Sequence, residues 1–304
     1  MGQTILAWGG FIIFILAMLV LDLGVFQRRS HQIRIRESLA LTAFWVTLAL
    51  LFNVGIYFTR GAHSALEFLT GYLIEESLSM DNVFVFLVIF TYFAVPPSYQ
   101  HKTLFWGIIG AIVLRGVFIV SGLTLIHRFN WITYLFGVLL VWTGIKMVSE
   151  QDKNIEPERN PVLKLFRKWV PVTEKYEGDK FFVKRKGMRY ATPLFVVLLV
   201  VETTDLIFAV DSIPAIFGVT LNPFIVYTSN IFAILGLRAL YFTLATMMRR
   251  FHYLSYGLSV ILVFIGIKML ITHFYHIPIV VALSVVVGVL ALSIVVSLIR
   301  PEGH

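Results

Sequence analysis

The chain has 304 residues, of which 58% are hydrophobic and only 14% charged, and its formal net charge is +8; its mean hydropathy is +0.85. These values lie outside the range of soluble globular domains and make the bilayer the relevant solvent. The basic residues are distributed by topology and form no single face, which argues against nucleic acid as a partner, and the lack of cysteine excludes disulfides, thiolate ligands and redox chemistry at cysteine sulfur.

A spanning helix needs about 20 mostly apolar residues. Nine candidate spans follow along the chain: Ile5 to Phe26, Leu39 to Phe58, Leu66 to Val95, Leu104 to Ile126, Ile132 to Val148, Pro193 to Val219, Phe224 to Met248, Leu254 to Thr272 and Pro278 to Ile299. The third and sixth exceed a straight crossing, which permits tilt or a break. The first has no basic segment ahead of it and no small-residue cleavage pattern behind it, so it is expected to stay as a span. The predicted fold class is therefore all-α: one polytopic membrane helix bundle over residues 1–304.

Nine crossings with the amino terminus outside place 19 of the 25 Lys and Arg residues in inside segments, eleven of them between Lys153 and Arg189. Outside loops hold only Arg60 and Arg128, while Arg115, Lys146, Arg238 and Lys268 lie within spans. By the positive-inside rule the carboxyl terminus is cytoplasmic. The one substantial polar region is the inside loop from about 150 to 191, with an amphipathic stretch near Val162 to Val170 and a hairpin expected over Phe181 to Tyr190, turning at Lys186-Gly187. Its default reading is a solvated, topology-fixing element; anionic lipid or a docked protein are the alternatives.

An internal repeat links the two halves. Tyr134 to Met147 (YLFGVLLVWTGIKM) and Tyr256 to Met269 (YGLSVILVFIGIKM) match at eight of fourteen positions without gaps, and Arg115 in GAIVLRG pairs with Arg238 in FAILGLRA. The copies cover spans three to five, about 66–149, and six to eight, about 192–272. Three spans per copy is an odd number, so the second copy enters upside down. Such inverted repeats place a binding site at their interface near the midplane.

The chemistry sits in Glu75 to Phe86 (EESLSMDNVFVF) and Glu202 to Pro214 (ETTDLIFAVDSIP), each inside an apolar span. An acidic group at the centre of a spanning helix costs about 2.5 to 3.5 kcal/mol, and Glu75, Glu76, Asp81, Glu202, Asp205 and Asp211 all fall there. Arg115 and Arg238 cannot balance six acids, so a bound cation or protons must. At about 100° per residue Glu202 and Asp205 share a face, whereas Asp205 to Asp211 and Glu75 to Asp81 are each rotated by about 240°. Convergence would need local unwinding, which Pro214 makes an expectation near Asp211, with freed carbonyls joining the ligands. Asn82 and Ser212 are candidate further oxygen ligands, although helix packing is the commoner fate of such residues.

Oxygen ligands suit magnesium, calcium and manganese, whereas copper and zinc sites draw on Cys, Met or His. All eight histidines lie in loops, at span ends or at the terminus, and His273 and His276 flank a short outside turn. Among the hard cations, spacing alone decides nothing.

Leu69 to Phe84, Tyr190 to Pro214, Phe232 to Ala239 and Gly257 to Leu270 together resemble the TerC integral membrane proteins, most closely the Alx-type members, over nearly the whole chain. The family is associated with tellurium resistance, and the resemblance implies a wider group of cation exporters that remove manganese from the cytoplasm of bacteria across the inner membrane. It places the acidic motif on Glu75, Asp81, Glu202, Asp205 and Asp211, with Glu76 a departure where similar proteins can carry lysine. The implied cycle has Mn2+ as transported substrate, with no organic cofactor, held by Asp81 and Asp211 with help from the other three and released as the repeats rock. Protons could return on the same carboxylates, with Arg115 and Arg238 as gates or fixed counter-ions. An intramembrane aspartyl protease fits poorly, because its Gly-x-Gly-Asp element is missing from the spans, so no enzyme activity is expected. A passive channel is disfavoured by deep clustered acids. The main alternative is a non-transporting membrane partner in a tellurium or metal stress-response complex.

Overall fold

A computed structural model describes residues 2–21, 35–129, 131–149, 163, 165–166, 169–185, 187–247, 253–275 and 277–299. The chain is an all-α polytopic membrane bundle with, among the described residues, one small hairpin. Its elements are α1 (Gly2–Leu21), α2 (Ile35–Arg60), α3 (Ala62–Tyr92), α4 (Pro97–Arg128), α5 (Ile132–Ser149), β1 (Phe182–Arg185), β2 (Met188–Ala191), α6 (Pro193–Phe217), α7 (Pro223–Met247), α8 (Leu254–Ile271) and α9 (Ile279–Ile299). Among the described residues, α2, α4, α6, α7, α8 and α9 are long and apolar enough to cross a membrane, and α1 and α5 contribute the shorter apolar stretches Ala7–Val20 and Ile132–Met147. The 31-residue α3 carries Glu67, Glu75, Glu76 and Asp81. The expected span ends at Phe26 and Met248, and part of the amphipathic stretch from Val162 to Val170, lie outside the described residues.

Local sequence explains the boundaries. Proline opens α4, α6 and α7, where its missing N–H would be unpaired in any case. Gly61, at φ 87°, lets the chain reverse between α2 and α3. Within the helices, hydroxyls bond back to carbonyls one turn earlier, as in Thr70 to Leu66 (2.7 Å), Thr204 to Val200 (2.7 Å) and Thr228 to Phe224 (2.7 Å). This satisfies polar groups where hydrocarbon offers no partner.

The long sixth span is continuous. The unwinding expected near Asp211 does not occur: α6 runs helical through Pro214, which is buried, to Phe217. Proline deletes one backbone bond within a turn of the helix end, and a single loss there is too small to open the helix. The spacing argument survives, since an intact helix turns Asp205 and Asp211 to different sides.

Packing follows from which faces are apolar all round. The centre is α7, almost wholly buried, with α3 along one side and α4 nearby, while α6 lies along α4. The outer faces of α2, α4 and α9 expose Val54, Phe58, Val117, Val120, Leu292 and Val295 in the manner of a lipid-facing surface. The closest helix pair is α5 with α8, where Gly137 meets the carbonyl of Gly266 and Gly144 meets Ser259 and Val263. The pairing order reverses along the chain, so these helices cross antiparallel. Small residues permit that approach.

The hairpin forms where expected, with Phe182 opposite Ala191, Arg185 opposite Met188, and Gly187 at φ 82° in the turn. The segment ahead of it docks on the α3–α4 turn: the Tyr176 hydroxyl donates to the Phe93 carbonyl (2.7 Å) and Lys102 donates to Asp179 (2.9 Å). Burial pushes the Tyr176 hydroxyl up to about 12. The Lys102 ammonium holds the Asp179 carboxyl below the usual carboxylate range. One end of the bundle therefore gathers the end of α3, the starts of α4 and α6, and the polar loop. At the other end the Arg60 guanidinium lies 4.1 Å over the Phe224 ring.

Candidate cation site

Three helices meet at Arg115, which lies mid-way along α4 and is 1% exposed. Its guanidinium grips Asp205 of α6 through two bonds, Nε to Oδ2 at 3.2 Å and Nη2 to Oδ1 at 3.0 Å. Nη1 donates to Glu75 of α3, to Ser212 Oγ (3.3 Å) and to Asn230 Oδ1 of α7 (3.4 Å). Glu75, Asp205, Ser212 and Asn230 are all buried. A planar fork with fixed donors is the side chain suited to holding two carboxylates at once. One cation between two acids leaves the cluster one negative charge in excess when both acids are ionised.

Glu202 and Asp205 do share a face of α6, as their spacing requires. Both line a small cavity with Phe86, Gly107, Leu237 and Arg238, on the side facing the polar loop. Gly110 makes room for the Glu202 carboxylate: a Cβ there would overlap it. At the opposite end His63, Glu67, Thr220 and Lys268 line a larger cavity. The Arg115 cluster lies between the two.

The other expected ligands are placed differently. Asp211 turns away from Arg115 and accepts a hydrogen bond from Thr143 of α5 (2.9 Å). Asn82 is buried on α3, and the Asp81 side chain lies outside the described residues. Glu76, next to Glu75 in sequence, faces Gly236 of α7. Among the described residues no group of three or more His, Asp or Glu side chains converges as a metal cage, because Arg115 occupies the space between Glu75 and Asp205. The site nevertheless offers free acceptors: among the described residues, Glu75 Oε2 and Glu202 Oε2 are buried and have no hydrogen-bond partner. Orphaned carboxylate oxygens suit a hard cation or a proton and suit little else.

Two participants escaped the sequence reading, Asn230 and Thr143. Each is a polar side chain inside an apolar span, the same signal that marked the acids, but single amides and hydroxyls are common there and only the fold pairs them with charge.

The model of the “Integral membrane protein TerC family” matches residues 60–303 of the chain. An “Uncharacterized membrane protein STKORF319” of Myxococcus xanthus is 50% identical over 293 residues, covering 96% of this chain and 92% of the relative. A protein of Escherichia coli K12 with the name “Putative membrane-bound redox modulator Alx” is 50% identical over 303 residues, covering 97% and 94%. An “Uncharacterized membrane protein” of Rickettsia bellii is 46% identical over 295 residues, covering 97% and 98%. No solved structure matches the chain.

Proposed function

We propose that this chain, which belongs to the TerC family of integral membrane proteins, moves a hard divalent cation, manganese foremost, out of the bacterial cytoplasm by alternating access about the Arg115 cluster. The observation that carries the reading is a fully buried arginine clamping carboxylates from two separate helices, Glu75 and Asp205, beside carboxylate oxygens that have no donor. Such groups are expensive at membrane depth and mark ion pathways.

Arg115 acts as a resident cation that keeps the acids together between transport events. An arriving ion takes the orphaned oxygens of Glu75 and Glu202, competes with the guanidinium for Asp205, and is released toward the opposite cavity. Asp211 continues the path on another face of α6, Asp81 serves with it as the acidic motif implies, and protons return on the same carboxylates. Two inverted repeats supply the motion. The antiparallel crossing of α5 and α8 supports this, as does the reciprocity by which α3 lies on α7 while α6 lies on α4. The orientation places the polar loop and the smaller cavity in the cytoplasm and the amino terminus outside, following the basic residues.

The deciding experiment is manganese uptake by inside-out vesicles under an imposed pH gradient, with wild type, Glu202→Gln and Asp211→Asn. Uptake by the wild type that both variants lose supports the exporter. Equal uptake by all samples and by empty vesicles overturns it and favours a non-transporting partner in a metal or tellurium stress response. The name carried by the Alx relatives concerns redox modulation; in this chain no cysteine is present to carry a thiol step.

A further inference from the structure

The hairpin presents an arrangement that folding alone does not favour. Lys184 and Arg189 stand directly opposite each other across the two-stranded ladder, and both are exposed. Like charges in directly opposed positions destabilise a sheet, and a two-stranded hairpin is marginal to begin with. Arg185 is answered by Glu177, but opposite Lys184 stands another cation.

The surroundings show where these charges point. Opposed residues and those two positions away share one face of a hairpin, so Lys184 and Arg189 lie on the face that carries Phe182. The Phe182 ring packs 4.4 Å from that of Phe195, in the first turn of α6, and Phe166 and Phe181 join the same group at 5.4 and 6.2 Å. The cluster sits where the apolar α6 begins, the level at which a spanning helix passes from hydrocarbon to headgroups. Beyond it, nearer the turn, the same face holds the two cations. Trp169, 81% exposed, adds a further interfacial side chain close by in the chain.

We infer that the 182–191 hairpin is a lipid-docking element whose Lys184–Arg189 face binds the phosphates of anionic phospholipids beside α6. Charge complementarity names the occupant, because the cationic pair is held at headgroup level by its aromatic anchor and each cation near an anionic leaflet gains stability there. Bound phosphate turns the opposed like charges from a liability of the hairpin into its fastening. The inference is independent of what the bundle transports.

The test is hydrogen exchange of the full-length protein in nanodiscs of phosphatidylcholine alone or with about 30 mol% phosphatidylglycerol, where amides of residues 182–191 should exchange at least about five-fold more slowly with the anionic lipid. Lys184→Gln/Arg189→Gln should abolish that difference while exchanging no faster than the wild type in phosphatidylcholine, since it also removes the opposed like charges. Identical wild-type exchange in the two bilayers overturns the inference, whatever the variant does. Equal protection in phosphatidylcholine on adding inorganic phosphate overturns it too, assigning the face to a soluble anion.

Discussion

Arg115 and Asp205 are joined by two near-parallel hydrogen bonds inside the membrane, with both side chains almost wholly buried. Removing one partner of a buried pair strands the other charge and costs about 3 to 5 kcal/mol. Asp205→Asn should therefore lower the thermal midpoint in detergent as well as abolish transport. Arg115→Lys should not rescue either property, because a single ammonium cannot span two carboxylate oxygens and Glu75 together. Unfolding followed by intrinsic fluorescence checks this; a midpoint equal to wild type for Asp205→Asn would refute a structural role for the pair.

Gly110→Ala separates the ion path from the fold. The new methyl would meet the Glu202 carboxylate, the mobile end of a side chain, so the bundle should survive while the carboxylate is displaced. The expected result is a raised KM for manganese with the thermal midpoint little changed. A normal KM would mean that Glu202 does not touch the ion.

At Gly266 the outcome should be the reverse. A Cβ there would sit 2.7 Å from the Gly137 carbonyl oxygen and 2.9 Å from the Val141 nitrogen, both backbone atoms. Gly266→Ala forces α5 and α8 apart, and overpacking of this kind costs about 1 to 3 kcal/mol. Gly288→Ala, which meets nothing within 4 Å, is the matched control. Equal midpoints for the two variants would show that the crossing is not tight.

Thr143→Val removes the donor that fixes Asp211 while preserving shape. The loss of one hydrogen bond to an ionised group is worth about 1.5 to 3 kcal/mol, toward the lower end here because Asp211 is half-buried. Transport should fall with Thr143→Val and be restored in part by Thr143→Ser. Failure of serine to improve on valine would argue that packing, and not the hydroxyl, is what Thr143 supplies.

Loop docking should have two pH limits. The Asp179 carboxyl is depressed by Lys102, so its contribution is full above the ordinary carboxylate range and is lost as pH falls from that range through the depressed value; the pair is exposed and the effect small. The Tyr176 hydroxyl is raised to about 12 from 10.0, so its contribution is complete below pH 10 and is lost as pH rises toward 12. A difference titration of wild type against Tyr176→Phe at alkaline pH should show one phenol ionising near pH 12; one ionising near pH 10 would mean the loop is undocked.

Hydropathy was enough to foresee the helices, of which six of the nine expected spans are, among the described residues, long and apolar enough to cross a membrane, and the hairpin was readable from Lys186-Gly187 between apolar runs. Glu202 and Asp205 were legible as one face from their spacing. What was not legible was the centre of the site. Spacing within one helix says nothing about which cation from another helix enters between two acids, so Arg115 emerged as the hub only when α3, α4, α6 and α7 were packed. Pro214 misled for a related reason: a proline weakens one bond, but whether the helix opens depends on its neighbours.

Glu75 and Arg115 are forty residues apart in the chain and belong to consecutive helices. During synthesis they are released into the bilayer as successive segments, well before Asp205 exists. An acid and a base delivered together can neutralise each other on arrival, so Glu75 and Arg115 can enter lipid as a paired acid and base, and the later α6 brings the Asp205 carboxylate to an arginine already waiting at the right depth. The order of the residues along the chain thus sets an assembly order for this cluster, in which Arg115 meets its first carboxylate before its second is made.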